Sequence, residues 1–420
     1  MAPYDDIKPF NLAVPDDQIN QLRAKLDLTR LPDELNLPDG HEWDWGIPLA
    51  VLKPVIDYWR TKYDWRAVEE RINRTLPQFT TCVESAKHGQ QEVHFVHKRS
   101  NDPNAVPLIF VHGWPGNFLE VSKMIDELTN PKDPKHPSFH VVAPSLPGFV
   151  FSQRAETPGM DAVGSSYLFD RLMQKLGYKY YMAQGGDWGA AVCRSFALNH
   201  QETCLATHLN MSLVPPPTLF KNPIVTLKIA LGFAGLPGGY PADDVAGIKR
   251  AQDFQKNETG YSKIQATRPQ TLAVALNDSP VGLLAWIGEK LHIWTDNYPW
   301  TPEEWITWTM LYWINGPAGG LRYYKEHAWI MQPHTPDMYE QHKRFLHEWS
   351  PTPLAFSSFP KELVRLPLEW NGVNQNLVYA KKHDKGGHFA AWEVPELLVD
   401  DIRNFAQLVL VKEPRLTGAN

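Results

Sequence analysis

The sequence predicts an α/β fold, in which a mostly parallel sheet carries helices on both faces and a helical insertion interrupts the alternation. Three observations predict it. Short apolar runs at Leu108–Val111, Val141–Ala143 and Tyr180–Ala183 each lead into a Gly- or Pro-containing turn, as buried parallel strands do in crossover units. Residues 218–345 carry no strand signal and read as helical, aromatic and loop-rich. Strand signals return at Leu354–Ser358 and Leu377–Lys381. One sheet split by an insertion is simpler than three independent domains.

Composition fits this class. The chain has 420 residues, 43% hydrophobic and 21% charged, a globular balance long enough for several layers of secondary structure. A net charge of -6 argues against a nucleic-acid-binding surface. Three cysteines, Cys82, Cys193 and Cys204, are too few for a disulfide framework or a zinc cluster and fit a reducing compartment. The first residues show no basic n-region or apolar h-region, and the tail Leu-Thr-Gly-Ala-Asn matches no lipidation or peroxisomal signal. The expectation is a soluble, cytoplasmic enzyme without a membrane anchor.

The elements follow in order. Asp16 is placed to cap a helix with Ile19, Leu22 and Leu26 on one face. A second helix runs from about Ile47 to Tyr63, burying Leu52, Val55, Ile56 and Trp59. Phe79–Val83 and Val93–Val96 read as strands around a turn at His88-Gly89. After the three core strands, Pro215-Pro216-Pro217 marks the end of the alternation. Ile224–Leu236, bracketed by Pro223 and Pro237, is too short and too interrupted for a membrane span and reads as a buried helix or lid element. A closing amphipathic helix carries Leu397, Leu398, Ile402, Phe405 and Leu408. The expected division is 1–104, an N-terminal region; 105–217, the first part of the core; 218–345, the helical insertion; and 346–420, the second part of the core.

Chemistry concentrates in three turns. Gly185-Gly186-Asp187-Trp188-Gly189 follows an apolar strand and opens a helix. It has the small-x-nucleophile-x-small form of a nucleophile elbow, with Asp where esterases have Ser. Glycines are required because a Cβ would clash in so sharp a turn; on its own, Asp187 would serve equally as a helix N-cap. His112-Gly113-Trp114-Pro115-Gly116 follows the first core strand, where hydrolases of this architecture place one oxyanion-hole amide, the second coming from the residue after the nucleophile. Those amides are Trp114 and Trp188. Lys385-Gly386-Gly387-His388-Phe389 follows the last strand, where a general base must face the nucleophile. A lone His is usually structural, but the order Asp187, acid, His388 matches α/β-hydrolase triads. Glu362, just past a core strand, is favoured as the acid; Asp384, Glu369 and Glu393 compete by proximity to His388.

Six ordered segments together resemble the microsomal-type epoxide hydrolases of the α/β-hydrolase superfamily over nearly the whole chain. They are His112–Gly116, Gly185–Gly189, Gly260–Pro269, Arg322–Glu326, Phe359–Leu363 and Gly386–Ala391; the region from Ile7 to Leu76 is similar to the family's N-terminal meander. The resemblance implies an α/β-hydrolase fold with a mostly parallel central sheet, a helical lid inserted in the core and an N-terminal meander. It implies Asp187 as nucleophile, His388 as water-activating base, Glu362 as orienting acid, and Tyr261 with Tyr324 as donors to the epoxide oxygen. Tyr323 is adjacent, but the family motif Arg-aromatic-Tyr-Lys-Glu selects Tyr324. The implied reaction converts an apolar epoxide and water to a vicinal diol, with no metal or organic cofactor; a homodimer follows by family analogy.

A carboxylate suits an epoxide because an sp³ carbon can be displaced in line without prior loss of a proton from the nucleophile. The developing alkoxide needs donors, and phenols, with an ordinary pKa of about 10, remain protonated at pH 7. The competing readings are a dehalogenase, which needs halide-binding donors in place of the tyrosine pair, an ester or lactone hydrolase, for which Asp is disfavoured because its attack gives a labile anhydride, and a non-catalytic binding protein that kept the pocket. Seven tryptophans lie between Trp286 and Trp329; most are expected to pack helices, and none is individually placed in the site.

Overall fold

The computed structural model describes residues 6–215 and 217–417. The N-terminal residues 1–5, the central proline of the Pro215–Pro217 run and the last three residues of the tail lie outside the described residues. Among the described residues nine strands form one sheet: β1 (Lys8–Pro9), β2 (Gln78–Ser85), β3 (Gly89–Lys98), β4 (Val106–Val111), β5 (Phe139–Pro144), β6 (Tyr181–Gly185), β7 (Cys204–Leu209), β8 (Ser350–Ser358) and β9 (Gln375–Lys382). Their order is β1-β2-β3-β5-β4-β6-β7-β8-β9. β1, β2 and β3 pair antiparallel, and β3 joins β5 antiparallel. From β5 to β9 every pairing is parallel.

Strands β4, β5, β6 and β7 are buried at every position, as a parallel sheet covered on both faces requires. β7 is absent from the sequence reading because Thr207 and His208 dilute its apolar run. Both side chains are fully buried, and each has a partner inside the core. Thr207 Oγ1 accepts from Gln375 Nε2 at 2.7 Å, and His208 Nε2 pairs with Ser357 Oγ at 3.0 Å. Helices occupy the insertion between β7 and β8, from Pro223–Phe233 through Pro336–His347.

Two local expectations need correction, and a third is narrowed to one of its alternatives. Asp16 opens its helix as the first helical residue, behind Pro15, and caps nothing; its carboxylate pairs with Arg66 instead. Leu408 points outward at 49% exposure, and Val409 takes the buried position. The apolar helix Pro223–Phe233 is a lid element with no buried residue. Val225 and Ile229 lean on a small cluster of Tyr240, Val245, Ile248 and Trp370, while Ile224 and Leu227 face outward. Among the described residues no single helix is long and apolar enough to cross a membrane; Pro269–Asp278 and Pro280–Ile293, apolar as a pair, meet at 115°.

One buried polar knot ties the two chain segments that lead into the site. Asp401, on the closing helix Pro395–Leu410, is fully buried. It accepts from Ser357 Oγ (2.5 Å) and Tyr379 Oη (2.7 Å) and meets His383 Nε2 at 2.6 Å. Ser357 lies near the end of β8 and His383 just past β9, so one carboxylate clamps the starts of both following loops. Burial alone would raise its pKa; the bonds from His383 and Ser357, with His208 nearby, hold it below the usual carboxylate range. A depressed folded pKa contributes stability above the unfolded value of about 3.9, lost as pH falls through the folded value. Asp401→Asn should therefore cost about 3–5 kcal/mol at pH 7. Urea unfolding should show the difference from wild type shrinking as pH drops below about 4.

Candidate active site

The register of β4 with β6 sets Val111 opposite Gly185, so the two strands end level and their loops adjoin. Helix Asp187–Asn199 starts immediately beyond β6, with Gly186 at its N-cap and no side-chain cap bond. Asp187 is therefore not capping its own helix. It stands at φ 49°, a left-handed conformation that costs a non-Gly residue roughly 1–3 kcal/mol and turns its carboxylate over the sheet edge. Three glycines make room: a Cβ on Gly189 would overlap the Val111 carbonyl, on Gly113 the Asp187 side chain, and on Gly186 the Asn210 amide. The Trp114 N–H donates to Asp187 Oδ1 at 2.8 Å. One of the two expected amides thus already holds the carboxylate; Trp188, the next residue, lines the cavity in front of it.

His388 faces the other oxygen, with Nε2 3.4 Å from Asp187 Oδ2, while its Nδ1 meets Glu362 Oε1 at 2.7 Å. The pairing of β8 with β9, extended by a bridge between Lys361 and Gly387, brings these two loops together. Of the four candidate carboxylates, Glu362 is the one that meets the imidazole. Asp384 is exposed, Glu369 is engaged by Lys228 and Tyr240, and Glu393 binds backbone. Its Oε1 accepts from the Gly387 and Phe389 amides at 3.1 Å each, and its Oε2 from the Asp296 amide at 2.8 Å. Glu393 thus shapes the histidine loop without touching the ring; burial pushes its pKa up to about 7 against those amide bonds. Burial alone would lower the His388 pKa, but Glu362 and Asp187 together outweigh it and raise it well above the ordinary imidazole value.

The lid docks onto the core beside these residues. Tyr312 Oη donates to the Gly116 carbonyl (2.6 Å), Asn315 Nδ2 to the Val150 carbonyl (2.7 Å), and the Gly159 amide to Glu326 Oε2 (2.7 Å). His327, buried against the Trp188 ring at 4.3 Å, accepts the Ala162 N–H at Nε2 (2.7 Å) and approaches the Tyr323 carbonyl through Nδ1 (2.6 Å). On the helix Ala318–Glu326, neighbouring tyrosines point about 100° apart. Tyr323 Oη pairs with Ser165 Oγ at 2.9 Å in the lid–core seam. Tyr324 instead packs on Trp188 at 4.9 Å and Tyr261 at 5.9 Å. Burial, with the Asp187 charge adding to it for both phenols and Tyr261 for Tyr324, raises both phenols well above the ordinary value. Both stay protonated.

Asp187, Tyr261 and Tyr324 line one cavity of about 220 Å³, whose other walls include Met211, Leu213, Phe254 and Met331. Two neighbours escaped the sequence reading. Trp294 stands between Tyr261 (5.2 Å) and His388 (5.1 Å), and its carbonyl accepts the His388 N–H at 2.9 Å. Nothing in sequence separates it from the six other lid tryptophans, since only its contacts do. Glu120, on the loop after β4, lines a second and much smaller cavity with Asp187 and His388.

Comparison with known proteins agrees with this geometry. The family model described as "Epoxide hydrolase N terminus" matches residues 7–121, and that described as "alpha/beta hydrolase fold" matches residues 106–251. Epoxide hydrolase 1 of Sus scrofa is 34% identical over 436 residues, covering 97% of this chain and 90% of that protein. The structure of Aspergillus niger epoxide hydrolase superposes with a TM-score of 0.80 at 30% identity, covering 96% of each chain. The juvenile hormone epoxide hydrolase of Bombyx mori superposes at 0.85 with 28% identity, covering 97% of this chain and 96% of that one. A likeness that runs through meander, core, lid and both ends of the site means that this chain belongs to the epoxide hydrolase family of the α/β-hydrolase fold.

Proposed function

We propose that this enzyme converts an apolar epoxide and water to a vicinal diol through an ester on Asp187. The observation that carries the reading is a carboxylate and two protonated phenols on the walls of one apolar cavity, with a Glu362–His388 pair behind the carboxylate. Trp114 holds Asp187 Oδ1, leaving Oδ2 to attack an epoxide carbon. The carbon–oxygen bond of the ring breaks, and its electron pair stays on the oxygen. Tyr261 and Tyr324 donate hydrogen bonds to that oxygen and supply a proton, which solvent restores to them. The apolar walls favour substrates whose groups beyond the epoxide are hydrocarbon-like.

Ester formation removes the charge of Asp187. One of the two carboxylates that raise the His388 pKa is then gone, so the imidazolium releases its proton and becomes the base for the second step. His388 takes a proton from water as the hydroxyl adds to the aspartyl carbonyl. The oxyanion stays on Oδ1 against the Trp114 amide, with Trp188 as the second donor, each worth roughly 3 kcal/mol. The tetrahedral intermediate collapses with cleavage of the acyl–oxygen bond, and His388 returns its proton to the departing diol.

The chain divides in this reading into a meander (1–104), two core parts (105–217 and 346–420) and a lid (218–345). A soluble cytoplasmic enzyme and a homodimer by family analogy complete it; sedimentation of the full chain with and without lipid vesicles checks both. His388→Ala incubated with a reactive epoxide should accumulate an adduct of the substrate's mass on the peptide containing Asp187, read by intact-protein and peptide mass spectrometry; binding without an adduct would remove the ester step. Replacing both Tyr261 and Tyr324 by Phe should lower kcat/KM for epoxide opening by at least about 10⁴-fold, two lost transition-state donors at roughly 10²-fold or more each. Full activity in that variant would remove their role.

A further inference from the structure

Glu120 has no role in the steps above, yet it is a buried acid beside them. It sits on the short 3-10 helix Phe118–Lys123 that follows the Trp114 loop. Its side chain lines a cavity of about 10 Å³ together with Asp187, His388, Gln184 and Asn210, room for one water molecule. That cavity and the substrate cavity have Asp187 in common and little else; Tyr261 and Tyr324 line only the latter. The carboxylate thus separates an apolar chamber on the lid side from a polar chamber on the core side.

The polar chamber is built for a water. Gln184 is 1% exposed; its Nε2 is fixed to Asn210 Oδ1 at 2.8 Å, which leaves Oε1 without a protein partner. No ion pair engages Glu120 among the described residues, and burial, opposed by the His388 charge and the Asn117 amide and reinforced by Asp187, pushes its pKa up to about 8. A neutral carboxyl does not repel the nucleophile, and its C=O still accepts a hydrogen bond. The loop makes room for it: a Cβ on Gly116 would overlap Glu120 Oε1, and the Gly116 carbonyl is pinned by Tyr312 Oη at 2.6 Å. A buried acid without a cationic partner is a poor packing residue, so its place beside the reacting groups calls for a use.

We propose that this chamber holds the hydrolytic water and that Glu120 is the positioning residue that aims it at the ester. One water O–H points to His388 Nε2, the other to the Glu120 carboxyl, and a lone pair faces Asp187 Cγ. The inference rests on the reading of Asp187 as nucleophile and His388 as base.

The two half-reactions separate it from that reading. In single-turnover experiments with a reactive epoxide, Glu120→Met should form the ester within about threefold of the wild-type rate and hydrolyse it roughly 10²-fold more slowly, the cost of a misplaced reactant. In the steady state, kcat and KM should fall together with kcat/KM unchanged. A merely structural defect would slow ester formation as well, and equal loss in both steps overturns the proposal, as does wild-type hydrolysis. Glu120→Gln keeps a carbonyl acceptor and should restore hydrolysis to within about threefold of wild type; a variant as slow as Glu120→Met counts against the role. Should Glu120→Met not fold, Gly116→Ala displaces the carboxyl without changing it and must show the same split. The His388→Ala adduct is the control. If it forms while Glu120→Met hydrolyses normally, only the Glu120 assignment falls; if it never forms, the ester reading falls first.

Discussion

Asp187 is held in a left-handed turn (φ 49°) between β6 and its helix, and the rest of the site is arranged around keeping it there. The strain is local, roughly 1–3 kcal/mol, and the surroundings over-determine it. β4 and β6 end level, Gly189 lies against the Val111 carbonyl, and the Trp114 amide grips Oδ1. The carboxylate cannot relax into a cap for its own helix because Gly186 already occupies the N-cap. A side chain fixed in this way presents one oxygen to an amide and the other to a histidine.

Electrostatics then give the site two states. With Asp187 ionised, His388 lies between two carboxylates and is held as imidazolium. With Asp187 esterified, only Glu362 remains, and the proton is no longer held so firmly. In the proposed mechanism a single chemical event switches the site from a nucleophile with neutral donors to a base. The clamp at Asp401 and the Glu393 amide bonds keep the histidine loop in place through the change.

The lid contributes by fixed contacts more than by bulk. Tyr312, Asn315, Glu326 and His327 each bond to core backbone, which sets the height at which Tyr261 and Tyr324 meet the cavity. Its outer helix Pro223–Phe233 stays largely exposed, so the sequence's most apolar stretch is not its most buried. Hydrophobicity alone ranks segments by composition, whereas burial depends on which face finds a partner.

The elbow, the Trp114 loop, the histidine loop and the sheet split by helices were all legible in sequence, because each is a short motif whose local stereochemistry demands particular residues next to a strand or helix. Tyr324 over Tyr323 rested on resemblance; in the structure the helix turns Tyr323 toward Ser165 and Tyr324 toward Trp188. The strand β7, the outward face of Leu408, the place of Trp294 and the chamber at Glu120 emerged only in three dimensions. Thr207 and His208 look too polar for a core until their partners from distant strands are known. Trp294 and Glu120 matter through neighbours 94 and 67 residues away at His388 and Asp187. Local geometry is written in adjacent residues; which remote groups share a low-dielectric space is decided by packing alone.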